Sequence, residues 1–266
     1  MNYVKSLSVP LVLSLLAAGP RATGDSHKTP KPASATDQAQ QTARAAAPVA
    51  KEIYAPVIDP ANFVMGVENP FFPLLPGTTF VYEGKTGKGI EHNEVTVLPE
   101  TKIIMGVTCV VVHDTVRVGG KLAEATFDWY AQDKQGNVWY FGEDSKEYKH
   151  GKAVSTHGSW EAGVNGAQPG LMMKANSRVG DAYRQEYYKG KAEDMAAVLG
   201  LNESAVVPYG NFGKLLMIKE WSALDPAPDV EHKYYSRDTG LVMTRAIGGG
   251  NWVLPLVEIR RTAPPR

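Results

Sequence analysis

The chain has little that would tie it together covalently or draw it to a charged partner. Cys109 is its only cysteine, so no internal disulfide can form and stability must come from core packing. Neither sign of charge is in excess, with 28 Lys and Arg against 28 Asp and Glu. That balance removes the electrostatic footprint of a nucleic-acid-binding protein. No apolar run is long enough to cross a bilayer as a helix, so no transmembrane segment is expected. There is no Gly-x-Ser-x-Gly elbow, phosphate loop or dinucleotide fingerprint, and Gly248-Gly-Gly250 lacks the lysine and helix start of a phosphate cradle. An enzyme of familiar type is disfavoured, and no cofactor is expected.

What is present begins with an export signal. Lys5 supplies a positive start and residues 7–18 an apolar stretch of 12 residues broken by Pro10, the pattern of a secretory signal peptide over residues 1–24. The mature chain is expected to start near Asp25, with no cysteine there to carry a lipid anchor. Residues 25–52 are rich in Ala, Thr, Gln, Pro and Lys, too poor in apolar groups to offset the entropy of ordering, and read as a disordered linker. A single β-rich domain is expected over residues 53–263. The 18 prolines, 26 glycines and 12 tyrosines suit short strands joined by turns, since tyrosine packs well on pleated surfaces.

Within that domain the chain repeats itself. The string Gly77-Thr-Thr-Phe-Val-Tyr-Glu83 returns as Gly180-Asp-Ala-Tyr-Arg-Gln-Glu186, an offset of 103. Met105-Gly106 is matched by Tyr209-Gly210 at 104. Phe127-Asp-Trp-Tyr-Ala-Gln-Asp133 is matched by His232-Lys-Tyr-Tyr-Ser-Arg-Asp238 at 105. Self-similarity of this kind marks two structural units, here residues 77–142 and 180–246. The expected fold is all-β with a minor helix at most: two tandem β-meanders forming a curved antiparallel sheet or open half-barrel. Residues 191–201 have helical propensity, but their counterpart around Val95-Thr-Val97 reads as strand, and strand is expected for both.

Alternation around Asp128 puts Ala125, Phe127, Trp129 and Ala131 on one face and Glu124, Thr126, Asp128, Tyr130 and Gln132 on the other. The first is read as core, the second as a polar row that is either solvated or the wall of a cleft. Trp139-Tyr-Phe141 is apolar on both faces and needs cover on both. Residues 155–178 have no counterpart in either unit and are expected to form a loop across the sheet, as a cap or a lid, with Trp160 and Glu161 near Asp128 and Tyr130.

Candidate ligand-binding residues are therefore Asp128, Tyr130, Glu143, His157, Trp160 and Glu161. A carboxylate set of Asp128, Glu143, Glu161 and Glu186 could serve acid–base chemistry if it converges. His157 with Glu161, His113-Asp114 and Glu231-His232 are ligand types, but their spacing fits no metal motif, so no metal is expected. Cys109, in an apolar run, reads as a buried small hydrophobe. Glu83 and Glu186, at matching positions, read as serving the fold.

The string Asp128-Trp-Tyr-Ala-Gln-Asp-Lys-Gln-Gly-Asn-Val-Trp-Tyr-Phe-Gly-Glu143, followed by Gly158-Ser-Trp-Glu-Ala-Gly-Val-Asn-Gly-Ala-Gln-Pro-Gly170, resembles a group of exported bacterial proteins that share both strings and have no assigned activity. The resemblance implies export and a β-rich domain, and brings no catalytic residue with it. On architecture alone the chain is also similar to periplasmic proteins whose open half-barrel sheets carry lipids or lipoproteins. The reading is an exported, soluble periplasmic or secreted binding or envelope-associated protein, holding an apolar or sugar-like small ligand, lipid-like molecules included, on an aromatic concave face. The alternative is a carboxylate-dependent hydrolase or lyase with its site under residues 155–178. Oligomeric state is left open.

The export signal sets the first test. Expressed with its own N-terminus in a Gram-negative host, the protein should be recovered from periplasm or medium lacking at least residues 1–18, as read by intact mass. Full-length protein confined to the cytoplasm would contradict it.

Overall fold

The computed structural model describes residues 54–225, 229–247 and 250–262; the expected signal peptide and the whole of the expected linker lie outside them. A 3-10 turn at Pro60–Asn62 is the sole helical element among the described residues. Sixteen strands follow the expected all-β class. They are β1 (Phe63–Val64), β2 (Thr78–Thr86), β3 (Gly89–Ile104), β4 (Val107–Val118), β5 (Lys121–Asp133), β6 (Val138–Lys149), β7 (Lys152–Ser155) and β8 (Trp160–Glu161). The rest are β9 (Gln168–Met173), β10 (Ala182–Arg184), β11 (Glu186–Tyr187), β12 (Asp194–Val207), β13 (Gly210–Ser222), β14 (Glu231–Ser236), β15 (Gly240–Ala246) and β16 (Val253–Arg261).

The pairing order is β10-β12-β13-β14-β15-β16-β2-β3-β4-β5-β6-β9-β11. Neighbours pair antiparallel, and the order contains two meanders, β2 to β6 and, β11 apart, β10 to β15, joined edge to edge through β16. Residues 194–201 are strand in β12, so the second unit's pattern overrides their helical propensity. The ends of the order, β10 and β11, are neighbours in sequence, separated by Gln185 alone. One short segment thus pairs with β12 on one side and β9 on the other, and the antiparallel sheet curves until it nearly closes.

Both faces of β5 are covered over part of its length: Trp129 and Ala131 of the expected core face are buried, at 7% and 1% exposure, and the polar row is buried as well. Thr126, Asp128 and Tyr130 are buried, at 4%, 2% and 1% exposure, while Ala125 and Phe127 of the expected core face are only half-buried. The polar row lines the concave side. Rings fill part of it: Tyr130 stacks on Tyr140 at 4.8 Å, and Trp160 meets Tyr140 edge-on at 5.4 Å. The outer side of β6 is covered by Phe63, whose ring lies 6.4 Å from Trp139 and 5.6 Å from Phe141. Both faces of Trp139-Tyr-Phe141 are therefore covered, by different segments.

Residues 155–178 are not one loop across the sheet. They contain β8 and β9, which pair in the plane of the sheet along the edge of β6, with Glu143 opposite Trp160 and Tyr140 opposite Gly170. These strands are too short to show a period in sequence, which is why they read as loop. Glu83 and Glu186 also part company: the Glu83 side chain is 52% exposed beside His92, whereas Glu186 is buried.

Closure depends on close approach at Gly170. A Cβ there would lie 2.2 Å from the Gln185 carbonyl oxygen, a contact that backbone cannot relieve cheaply. Gly170→Ala should lower stability by about 1–3 kcal/mol, the usual cost of overpacking, read as a fall in the urea midpoint. Gly213→Ala, with nothing within 4 Å of the added carbon, should leave the midpoint almost unchanged. Equal midpoints for the two variants would contradict this account of closure.

Candidate functional site

Before the first long strand the chain makes a strap, residues 69–74, whose shape follows from Asn69-Pro-Phe-Phe-Pro73. Proline bars helix and the preceding residue is pushed to extended backbone. Asn69 anchors it, donating from Nδ2 to the Gly136 carbonyl at 2.8 Å and accepting from the Phe71 amide at 2.9 Å. The Asp238 amide donates to the Pro70 carbonyl at 2.6 Å. Gly136 and Asp238 belong to the matching β5–β6 and β14–β15 turns, so the strap is held by both units. Its Phe72 reaches inward, 5.3 Å from the ring of Tyr130 and 6.4 Å from that of Tyr235.

Under Phe72 lies a cavity of about 40 Å³. Its rim is apolar, formed by Phe72, Pro73, Leu74, Phe80 and Leu241, and its floor holds Asp114, Asp128, Tyr130 and Tyr235. Asp114 stands in the middle of β4 and not at a strand end as its sequence suggested; His113 beside it faces outward and stacks on Phe127 at 4.4 Å. Asp114 Oδ1 accepts from Asn93 Nδ2, and Asp128 Oδ1 accepts from the Tyr140 hydroxyl at 2.6 Å.

Electrostatics at the floor are unusual for a folded interior. Burial pushes Asp128 up to about 7, opposed by the Tyr140 hydrogen bond and assisted by the charges of Glu186 and Glu124. Burial, then the charges of Asp128 and Glu124, hold Asp114 well above the carboxylate range. Further along the concave face Glu91 is raised to about 7 and Glu231 to about 8, burial leading in both. The buried cation among them is Lys233, 1% exposed and 2.5 Å from Glu220, with Glu231 at 4.0 Å. Its burial would lower its pKa, but Glu220 and Glu231 hold it above the ordinary lysine value.

The six residues singled out from sequence are divided by the fold. Asp128 and Tyr130 line the cavity. Glu143 is the register partner of Asp128 and is buried on the same face, and Trp160 covers Tyr140 beside it. Glu161 lies on the other side: it pairs with Lys102 at 2.7 Å, and the Lys102 ammonium sits 3.3 Å above the outward ring of Trp129. His157 is exposed in the turn between β7 and β8. Of the carboxylate set, Asp128, Glu143 and Glu186 share the interior and Glu161 does not. Glu231 and His232, adjacent in a strand, face opposite ways and cannot act as one ligand pair. Among the described residues no group of three or more His, Cys, Asp or Glu side chains is placed to hold a metal ion. Cys109 is fully buried and its thiol is pushed up to about 12 by that burial, which leaves no nucleophile there.

Asp114, Glu91, Glu220, Glu231 and Lys233 were not singled out as a site. The available signal was alternation: Val112, Asp114 and Val116 share a face, and so do Glu231, Lys233 and Tyr235.

No family model matches the chain, and no curated protein is significantly similar to it. Two solved structures are similar in part: an exported-protein candidate with a YmcC-like fold from Bacteroides fragilis, at 14% identity and TM-score 0.42, and a lipoprotein candidate from Parabacteroides distasonis, at 14% identity and TM-score 0.39. Each likeness covers 72% of this chain and 99% of the other. At these scores neither carries an argument about what this chain does. No helix among the described residues is long and apolar enough to cross a membrane.

The raised carboxyls set a pH dependence with a definite sign. An unfolded Asp or Glu loses its proton near pH ~4, whereas Asp128, Glu91 and Glu231 keep theirs to about 7, 7 and 8. The folded chain then binds more protons between those limits, so stability is fully present below the unfolded value and falls as pH rises towards 8. Asp128→Asn should make that decline shallower. Unfolding midpoints that rise from pH 5 to pH 8 would contradict the assignment.

Proposed function

We propose that this is an exported binding protein that holds a small ligand with an apolar body and one polar end in the cavity beneath Phe72. The observation that carries the reading is the cavity itself, an apolar rim of Phe72, Leu74, Phe80 and Leu241 above a floor containing Asp114 and Asp128. Apolar walls with a few convergent polar groups are the ordinary composition of a small-molecule site, the walls supplying affinity and the polar groups orientation. At about 40 Å³ the cavity has room for a few waters or a small head group. A larger body must therefore displace Phe72 and its neighbours in the strap. The apolar stretch after Lys5 supports an envelope or extracellular location for this activity.

A second reading is acid–base catalysis, favoured by the same two carboxyls. Two buried acids with raised pKa values, that of Asp114 raised in part by the charge of Asp128, can supply one proton donor and one acceptor near neutral pH. The two readings differ in what becomes of the ligand.

Native mass spectrometry of the purified mature protein should find a retained small molecule, and Val95→Phe, which fills the cavity from β3, should lose it while melting as a folded protein. If the site is catalytic, the molecule is converted on incubation, and Asp128→Asn stops conversion without abolishing retention. Retention that survives Val95→Phe would place the ligand elsewhere and overturn both readings.

A further inference from the structure

The floor of the cavity is built to receive hydrogen-bond donors. Asp114 and Asp128 each have one oxygen engaged, by Asn93 and by Tyr140. Neither carboxyl forms an ion pair among the described residues, and the charge of Lys233 reaches Asp128 only as a minor influence. Asn93 Oδ1, fully buried beside Asp114, has no partner. Donors near the floor are turned elsewhere: the Tyr82 hydroxyl donates to the Leu241 carbonyl at 3.0 Å, and the Tyr235 hydroxyl reaches Glu220 at 3.4 Å. Lys233 is committed to Glu220 and Glu231.

Charge and size narrow the ligand further. Glu186 and Glu124 add their negative charge to the field at Asp128, which disfavours a carboxylate or phosphate head. A cavity of about 40 Å³ excludes a sugar ring without opening, yet accommodates a head the size of a water molecule or two. An ammonium is that size, carries three donors and no acceptor, and matches the charge that one ionised carboxyl would leave. A bare divalent ion is a poor fit, because the remaining walls are hydrocarbon and supply none of the oxygens such ions need.

We propose that the ligand is an amphipathic primary amine, its ammonium seated between Asp114 and Asp128 and its apolar chain running out past Phe80, Leu241 and Phe72; this rests on the binding reading above. A cation also relieves the strain of two acids in a dry site, since it allows one to ionise with a partner in contact.

Calorimetric titration of the mature full chain with decylamine, decanol and decanoate, each below its aggregation concentration, tests the class. Decylamine should bind more tightly than decanol by about tenfold or more, the scale of one charge-assisted hydrogen bond, and decanoate should be weakest. The Asp114→Asn, Asp128→Asn double variant should lose that advantage and keep decanol binding. Should the double variant fail to fold, the ranking of the three probes on the unaltered chain still decides. Decanol or decanoate binding as well as decylamine would overturn the amine while leaving a binding protein. Binding of none of the three would overturn the amine and the binding reading together.

Discussion

Gln185 sits where the two ends of one sheet meet. Its amide donates to the Asp194 carbonyl at 2.8 Å, at the start of β12, while its own carbonyl lies against Gly170 of β9. Backbone groups at a sheet edge must find partners or water, and this segment supplies partners to both edges at once. A sheet drawn together in this way has an inner face that water reaches poorly. Everything placed there by strand alternation becomes interior, polar or not. The side chain of Gln185 follows suit, donating to Glu220 at 2.9 Å inside the same enclosure.

Burial of so many carboxyls is unfavourable by itself, because a charge taken out of water without a partner is expensive and the group neutralises instead. Two solutions are visible. At Lys233 and Glu220 the charge is kept and paired. At Asp114 and Asp128 the direct partners are the neutral donors Asn93 and Tyr140, and burial holds the carboxyls above their ordinary range. In sequence Asp128 and Lys233 stand 105 residues apart, each two residues before the tyrosine, Tyr130 or Tyr235, that flanks Phe72. One unit supplies a cation, the other leaves an acid, and the cavity forms on the side of the acid.

The sequence showed the strand-rich class and the meander order, because hydrophobic alternation and the turn chemistry of Asp133-Lys-Gln-Gly136 and Asp238-Thr-Gly240 are local signals. It did not show that the polar face of β5 is buried too. Alternation separates two faces, and hydrophobicity picked out Trp129 and Ala131, which are buried; that Thr126 and Asp128 are also enclosed follows from curvature, a property of distant pairing. Asp114 was visible as a residue but not as a floor, since its neighbours in space come from β3 and β5 and from the β14–β15 hairpin. Glu161 was misplaced for a simpler reason: once Trp160 pairs opposite Glu143, the next residue must face outward, where Lys102 holds it.

Local preference and global fold agree over most of this chain and disagree along the concave face, where acids stand at buried positions. Such disagreements are expected where function is kept at some expense to stability. Structural carboxyls buried for the fold alone are normally satisfied by fixed donors or cations, as Glu220 is by Lys233 and Gln185. Asp114 and Asp128 accept from the neutral donors Asn93 and Tyr140 and open on a cavity lined mostly by hydrocarbon. An amide of the same shape at either position would remove the desolvation cost of a carboxylate. Acids in both places are what the proposed amine, entering from the Phe72 side, would need to meet.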